Sequence, residues 1–209
     1  MSKKKAILII LAVALLCAIA VTGTLAYLTA TTQKPVVNTF MASSPFLAGE
    51  FNLVESKVAK NGDGSYSFAE PVVEVLENTY DVIPSTDLPK DPFVRIIDKS
   101  EVPAYLYVEV VDGLADSGLT YTMASCWTKL DNVTGLNGGA VYVYKNGELV
   151  TEKTEGLDRI DLLADNKIHV ADELHIADEN GIALKFYGYL AQASAGDAAT
   201  AFGACFKKN

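Results

Sequence analysis

The two histidines of the chain, His169 and His175, are the residues from which metal-dependent chemistry would have to start. A helical zinc protease carries the motif H-E-x-x-H, which places two imidazoles on one helix face. Here the spacing is six residues, the motif is absent and the segment has no clear helical period. Together with Asp172 or Glu173, the pair could bind a metal across two strands, but ordinary surface histidines fit the spacing better.

No other group of residues indicates an enzyme. Neither Cys126 nor Cys205 has the sequence context of a catalytic nucleophile, and the chain contains no Gly-x-Ser-x-Gly motif. The acidic residues between 158 and 178 do not have the spacing of a Ca²⁺ loop that ends in a glutamate. The sequence therefore predicts a protein that is not an enzyme and that has no cofactor and no bound metal.

The cysteines allow two interpretations. Cys17 lies in an apolar N-terminal run, so Cys126 and Cys205 are the pair that an exported protein would retain. An oxidising compartment would allow these two residues to form a disulfide. Two buried free thiols explain them equally well, because cysteine packs as a small apolar side chain. Both interpretations stay open at this point.

The N-terminus has the pattern of an export signal. Residues 3–5 are lysines, and residues 6–21 are almost entirely apolar. This run is short for a membrane span, which needs about 20 apolar residues, so cleavage is favoured over an uncleaved anchor. We predict a signal peptide at 1–26 with cleavage between Ala26 and Tyr27. The mature protein would then be secreted or held at the cell surface.

Net charge limits the partners. The chain has 17 basic and 26 acidic residues, which gives a formal charge of −9. Such a balance argues against nucleic acid and anionic membranes as partners. Half of the residues are hydrophobic, which is enough to build a core.

Two stretches show the alternation of strands that bury one face more than the other. In Val102–Val111, one face carries Leu106, Val108 and Val110, and the other carries Tyr105, Tyr107 and Glu109. In Ile182–Leu190, one face carries Ile182, Leu184, Phe186 and Leu190, and the other carries Lys185, Tyr187 and Tyr189. Many further short β-prone runs and few helical patterns favour an all-β fold, an antiparallel β-sandwich of jelly-roll or immunoglobulin type. We place this domain at 41–209.

Local signals add a hairpin and a short helix. Asn146-Gly147 separates two β-prone runs, 141–144 and 149–151, and Asn-Gly between such runs is typical of a two-residue hairpin turn. Asp197 is a good N-cap for a short helix that packs over the sandwich. Its apolar stripe would consist of Ala199, Phe202 and Phe206.

The segment 27–40 reads as extended, with many threonines and valines. Its first part could donate a strand to the open edge of a neighbouring copy's sheet. The residues of this donor strand would be Tyr27, Leu28, Thr29, Ala30, Thr31 and Thr32. Repeated from copy to copy, such head-to-tail contacts build a fibre. The alternative is an ordinary first strand that pairs within its own domain.

Several of these stretches resemble one family. Gly23-Thr24-Leu25-Ala26-Tyr27 and Val36-Val37-Asn38-Thr39-Phe40 resemble the leader region of the TasA and camelysin (CalY) proteins of Gram-positive bacteria, although Ala30 stands where the family commonly has Asp. Lys90-Asp91-Pro92 and the stretch 186–193 are similar to the family's Lys-Asp-Pro loop and closing strand. The match covers the leader, the middle and the C-terminal part of the chain.

This resemblance implies a jelly-roll subunit of an extracellular biofilm-matrix fibre, assembled by donor-strand exchange. Its partners would be copies of itself or a related matrix subunit, and a SipW-type signal peptidase during export. Camelysin has also been classed as a surface metalloprotease, so a cell-surface metallopeptidase is one alternative. A monomeric surface or adhesion module with the same leader is another.

Overall fold

The computed structural model describes seven ranges of the chain, 30–31, 39–41, 50–97, 102–151, 153–176, 182–193 and 196–206. The predicted signal peptide and the cleavage site between Ala26 and Tyr27 lie outside the described residues. So does most of the predicted donor strand, of which the backbone at Ala30 and Thr31 is described.

Short strands account for most of the regular secondary structure among the described residues. They are β1 (Ala30–Thr31), β2 (Thr39–Met41), β3 (Glu50–Ser56), β4 (Val58–Lys60), β5 (Tyr66–Phe68), β6 (Glu74–Val75), β7 (Asp87–Pro89), β8 (Phe93–Ile96), β9 (Ala104–Asp112), β10 (Leu119–Thr120), β11 (Trp127–Thr134), β12 (Ala140–Tyr144), β13 (Ile160–Asp161), β14 (Lys167–Val170) and β15 (Leu184–Gln192). Two 3₁₀ turns, Lys145–Gly147 and Ala164–Asn166, and the helix α1 (Ala198–Cys205) complete the described elements.

The strands form antiparallel sheets. Sheet A has the order β1-β15-β9-β12-β11, sheet B the order β13-β8-β3-β2 with β6 also paired to β3, and sheet C the order β10-β14-β7. The hairpin β4-β5 stands beside them. This architecture confirms the predicted all-β antiparallel sandwich with a short helix.

The main core lies between sheet A and sheets B and C. Leu106 and Val108 of β9 are fully buried there with Leu53 of β3 and Phe93 of β8. The predicted alternation along β9 is therefore confirmed, because these side chains and their neighbours two residues away share one face of the sheet. The same holds for Phe186 on β15, which lies in the same core.

The opposite face of sheet A is covered by α1. Phe202 is buried against Tyr107 and Tyr189, with ring centroids 5.2 Å and 5.4 Å apart in edge-to-face geometry. Asp197 caps the helix as predicted, since its carboxylate accepts a hydrogen bond from the Thr200 amide at 2.8 Å. The predicted stripe is wrong at one position, because Ala199 is exposed. The neighbouring strands β9 and β15 of sheet A are thus buried on both faces along most of their length.

The hairpin predicted at Asn146-Gly147 is wrong. Both residues have the positive φ that the motif requires, 58° and 89°. Lys145 also has a positive φ, 42°, and the three residues form a 3₁₀ turn that leads the chain away from β12. Val150 then exchanges two backbone hydrogen bonds with Ala104 at the start of β9. The turn signal fixed the local backbone but not the strand that follows it.

Candidate functional site: the outer edge of sheet A

The last strand of the sandwich, β15, is the second strand of sheet A and lies next to the two-residue strand β1 at the outer edge. On its inner side it pairs with β9 at nine consecutive positions, from Leu184 opposite Asp112 to Gln192 opposite Ala104. On its outer side it pairs with β1, where Ala30 lies opposite Leu190 and Thr31 opposite Tyr189. The predicted donor segment therefore contacts this edge through its own chain, as an antiparallel strand.

Strand β15 is buried on both faces along most of its length. Phe186 and Leu190 are 0% exposed in the main core, and Tyr189 is 0% exposed under α1. Lys185 is the exposed side chain of the strand. The backbone along the outer side of β15 therefore belongs to a strand whose side chains are mostly packed within its own chain.

A buried carboxylate fixes Tyr189. Glu109, on the neighbouring strand β9, is 0% exposed and accepts the Tyr189 hydroxyl at 2.5 Å. It also accepts the amides of Asn137 and Gly139, each at 2.8 Å, and the Asn137 side-chain amide at 3.0 Å. These four donors compensate the buried charge without an ion pair from any residue of the described part of the chain. Burial, and then the bond to Glu109, raise the pKa of Tyr189, so it remains a neutral donor.

The same carboxylate closes the β11–β12 hairpin. A Cβ at Gly135 would lie 2.0 Å from Cδ of Glu109, and one at Gly139 would lie 2.4 Å from the Val110 carbonyl oxygen. The hairpin backbone therefore packs directly on β9 and on Glu109. The sequence signal for this arrangement was an acidic residue, Glu109, flanked by valines in a strand that is apolar and aromatic up to its last residue, Asp112. The role of Glu109 as a hydrogen-bond acceptor was not predicted.

A second described part of the N-terminal region, Thr39–Met41, contacts sheet B. Thr39 lies opposite Asn52, and Phe40 opposite Phe51, so β2 is the strand next to β3. Two short parts of one segment thus pair with two different sheets of the sandwich. Seven residues, 32–38, separate the two parts in sequence.

Neither histidine belongs to a group of metal ligands within the described residues. His169 is exposed on β14, with Nδ1 3.0 Å from Oδ1 of Asp87, while Lys167 donates to the other oxygen at 2.7 Å. The bond from Lys167, and then that from His169, lower the pKa of Asp87. His175 is exposed in a loop. Within the described residues, no three His, Cys, Asp or Glu side chains are grouped as metal ligands would be.

The disulfide considered for Cys126 and Cys205 is not formed. Both residues are free, half-buried thiols. Cys126 packs against the main core, whereas Cys205 lies on α1 in the cluster on the other face of sheet A. Burial raises the pKa of both thiols, which keeps them protonated at neutral pH. The interpretation as free thiols is the one that agrees with the structure.

The Lys90-Asp91 pair has a structural role. Lys90 is buried and donates to Glu55 at 2.5 Å, and Glu55 is 0% exposed on β3. Asp91 is also buried and accepts from the Ser56 amide and hydroxyl at 2.8 Å and 2.7 Å. These contacts join β3 to the connection between β7 and β8. They stabilise the fold and do not form an accessible site.

No protein-family model, no curated protein and no solved structure matches the chain. Among the described residues, no helix has the length and hydropathy that crossing a membrane requires. The candidate site is therefore defined by geometry alone: a strand, β15, that is buried on both faces and pairs on its outer side with Ala30 and Thr31.

Proposed function

We propose that this protein is a secreted structural subunit of an extracellular fibre, of the biofilm-matrix type, in which the N-terminal segment of one copy completes sheet A of the next. The observation that carries the proposal is the antiparallel pairing of Ala30–Thr31 with Leu190 and Tyr189 at the outer edge of β15. A segment held at an edge by backbone pairing can be replaced there by the same segment of another copy.

The exchange costs little free energy, because the segment makes the same main-chain hydrogen bonds with its own β15 as with β15 of another copy. A tethered segment has an effective concentration in the millimolar range, and each main-chain hydrogen bond contributes about 1 kcal/mol net. Closed monomers therefore dominate in dilute solution. High local concentration outside the cell, or a free end already growing, favours pairing between copies.

The two parts of the segment have different roles in this proposal. Ala30–Thr31 is the part that is exchanged, while Thr39–Met41 stays paired with β3 of its own subunit. The seven residues between them can span at most about 25 Å when extended. That reach is an upper limit on the distance between β2 of one subunit and β15 of the next in the fibre.

The test uses two versions of the leader-free protein. One begins at Tyr27 and the other at Asn38, so that the second keeps β2 and loses β1. We expect filaments by negative-stain electron microscopy for the longer version only, with cooperative thermal unfolding for both. An excess of a synthetic peptide covering 27–37 should cap the acceptor edge and shorten the filaments.

Two results would contradict the proposal. If the shorter version forms filaments as readily as the longer one, another surface drives assembly. If both stay monomeric at every concentration, the pairing of β1 with β15 belongs to a closed monomer.

A further inference from the structure

A groove of about 590 Å³ lies where β9 ends, at the end of sheet A at which Asp112 pairs with Leu184. This position is five residues along β15 from the contact with β1, or about 17 Å. The groove is therefore a different surface from the strand-acceptor edge, and its role is independent of the proposed function. Its volume is in the range of sites that hold small molecules or single side chains.

Apolar and aromatic groups make up much of the lining. Leu114 and Leu119 are buried, and Tyr121, Met123 and Tyr142 are half-buried beside them. Burial raises the pKa of both tyrosines, with a further contribution from Asp112, so they are neutral rings with intact hydroxyl groups. Neutral aromatic rings can contact an alkyl chain and also attract a cation.

One carboxylate at the groove is held in a fixed orientation. Oδ1 of Asp112 accepts the Leu114 amide at 2.8 Å, and Oδ2 accepts the Tyr121 hydroxyl at 3.1 Å. Each oxygen has a second lone pair and can accept one further hydrogen bond. Since each oxygen already has one donor, the carboxylate is better suited to a compact ammonium group than to the paired donors of a guanidinium.

The charged residues of the groove lining are both negative. Asp112 and Asp116 belong to the lining, and no Lys, Arg or His occurs among its described residues. The chain as a whole has a formal charge of −9. A concave site with like charges and partly apolar walls concentrates the potential and attracts cations.

We propose that this groove binds the side chain of a lysine presented by another polypeptide. The four methylenes of the lysine contact Leu114, Leu119 and Met123, while the ammonium group is placed between Asp112 and the tyrosine rings. A free alkylamine has the same chemistry, and the experiment distinguishes the two sources.

The test is an NMR titration of the ¹⁵N-labelled, leader-free protein with blocked tripeptides. Ac-Ala-Lys-Ala-amide should cause saturable shifts confined to residues 112–123 and Tyr142. The norleucine tripeptide has the same stem without the charge, and it should bind at least about tenfold more weakly. Pentylamine serves as the free-amine probe, and we expect it to bind no more tightly than the lysine peptide.

The matched variants are D112N with D116N, which keeps the shape and removes the charges, and D131N, which removes an exposed charge on β11 outside the groove lining. The first should abolish the preference for lysine over norleucine, and the second should leave it unchanged. The proposal is overturned if norleucine binds equally well, if the shifts spread over the acidic surface, or if the double variant keeps the preference. Tighter binding of pentylamine would assign the groove to free amines instead.

Discussion

The packing of the β11–β12 hairpin on Glu109 gives a sharp test of the structure beneath the acceptor edge. All three atoms nearest to a Cβ at Gly135 belong to the Glu109 side chain, at 2.0, 2.4 and 2.5 Å. G135A should therefore destabilise the protein by about 1–3 kcal/mol through overpacking. In an E109A background those atoms are absent, and the same substitution should cost less than about 0.5 kcal/mol.

The single substitution E109A has its own expected cost. It leaves the Asn137 and Gly139 amides and the Tyr189 hydroxyl without their acceptor. Losing an acceptor shared by several donors at a buried site should cost about 3–5 kcal/mol. E109Q should cost about 1–2 kcal/mol, because the tyrosine hydroxyl can turn to accept and the Asn137 amide can flip.

Two matched controls make the double-mutant cycle specific. E109Q keeps Cδ, so it should not relieve G135A. A Cβ at Gly139 would lie 2.4 and 2.7 Å from the Val110 carbonyl and 2.9 Å from Cγ of Glu109, so E109A should relieve only a small part of the cost of G139A. Urea unfolding followed by the fluorescence of Trp127, the only tryptophan and a buried one, measures each free energy. Equal costs of G135A with and without Glu109 would refute the packing described above.

Three further predictions address other parts of the fold. Lys90→Met should lower the free energy of unfolding by about 3–5 kcal/mol, because it leaves Glu55 buried without its cation. Adding Glu55→Leu should recover most of that loss in urea unfolding. A double variant no more stable than Lys90→Met would contradict this explanation. The Thr200 amide lowers the pKa of Asp197, so the helix cap should stabilise the protein at neutral pH and weaken as the pH falls through that lowered pKa. In thermal unfolding, D197N should remove this pH dependence. Identical pH profiles for the variant and the unchanged protein would argue against the cap. Ala30→Pro and Thr31→Pro should differ in filament yield, because only one of two adjacent residues directs its N–H to β15, and equal yields would mean that β1 does not form a ladder in the filament.

Local periodicity predicted β9 and β15, the neighbouring strands of sheet A that lie inside β1. The alternation at Leu106 and Phe186 recorded which face of β9 and β15 enters the core, and the structure confirms both, with strand ends that differ by one or two residues. Asp197 was equally accessible to prediction, because a cap depends on residues within one helical turn.

Contacts between stretches that are distant in sequence could not be predicted in the same way. Asn146-Gly147 determined a turn but not its partner strand, since Val150 pairs with Ala104 instead. The acceptor role of Glu109 depends on a hairpin that is distant in sequence, and the separation of Cys126 from Cys205 depends on which face of sheet A each one meets. These contacts depend on how the sheets pack together, and the residue types and spacing of one short stretch do not determine that packing.

Pairing between copies can be measured directly with single cysteines at the register pair Ala30 and Leu190, in a background in which Cys126 and Cys205 are serine. Copies with A30C alone are mixed with copies with L190C alone, assembled and oxidised, so that a disulfide between the two positions can form only between chains. We expect disulfide-linked mixed dimers in the filaments. In monomers of a chain that carries both A30C and L190C, we expect the disulfide to form within one chain. Filaments without mixed dimers, in samples where the double-cysteine chain links internally, would contradict strand donation.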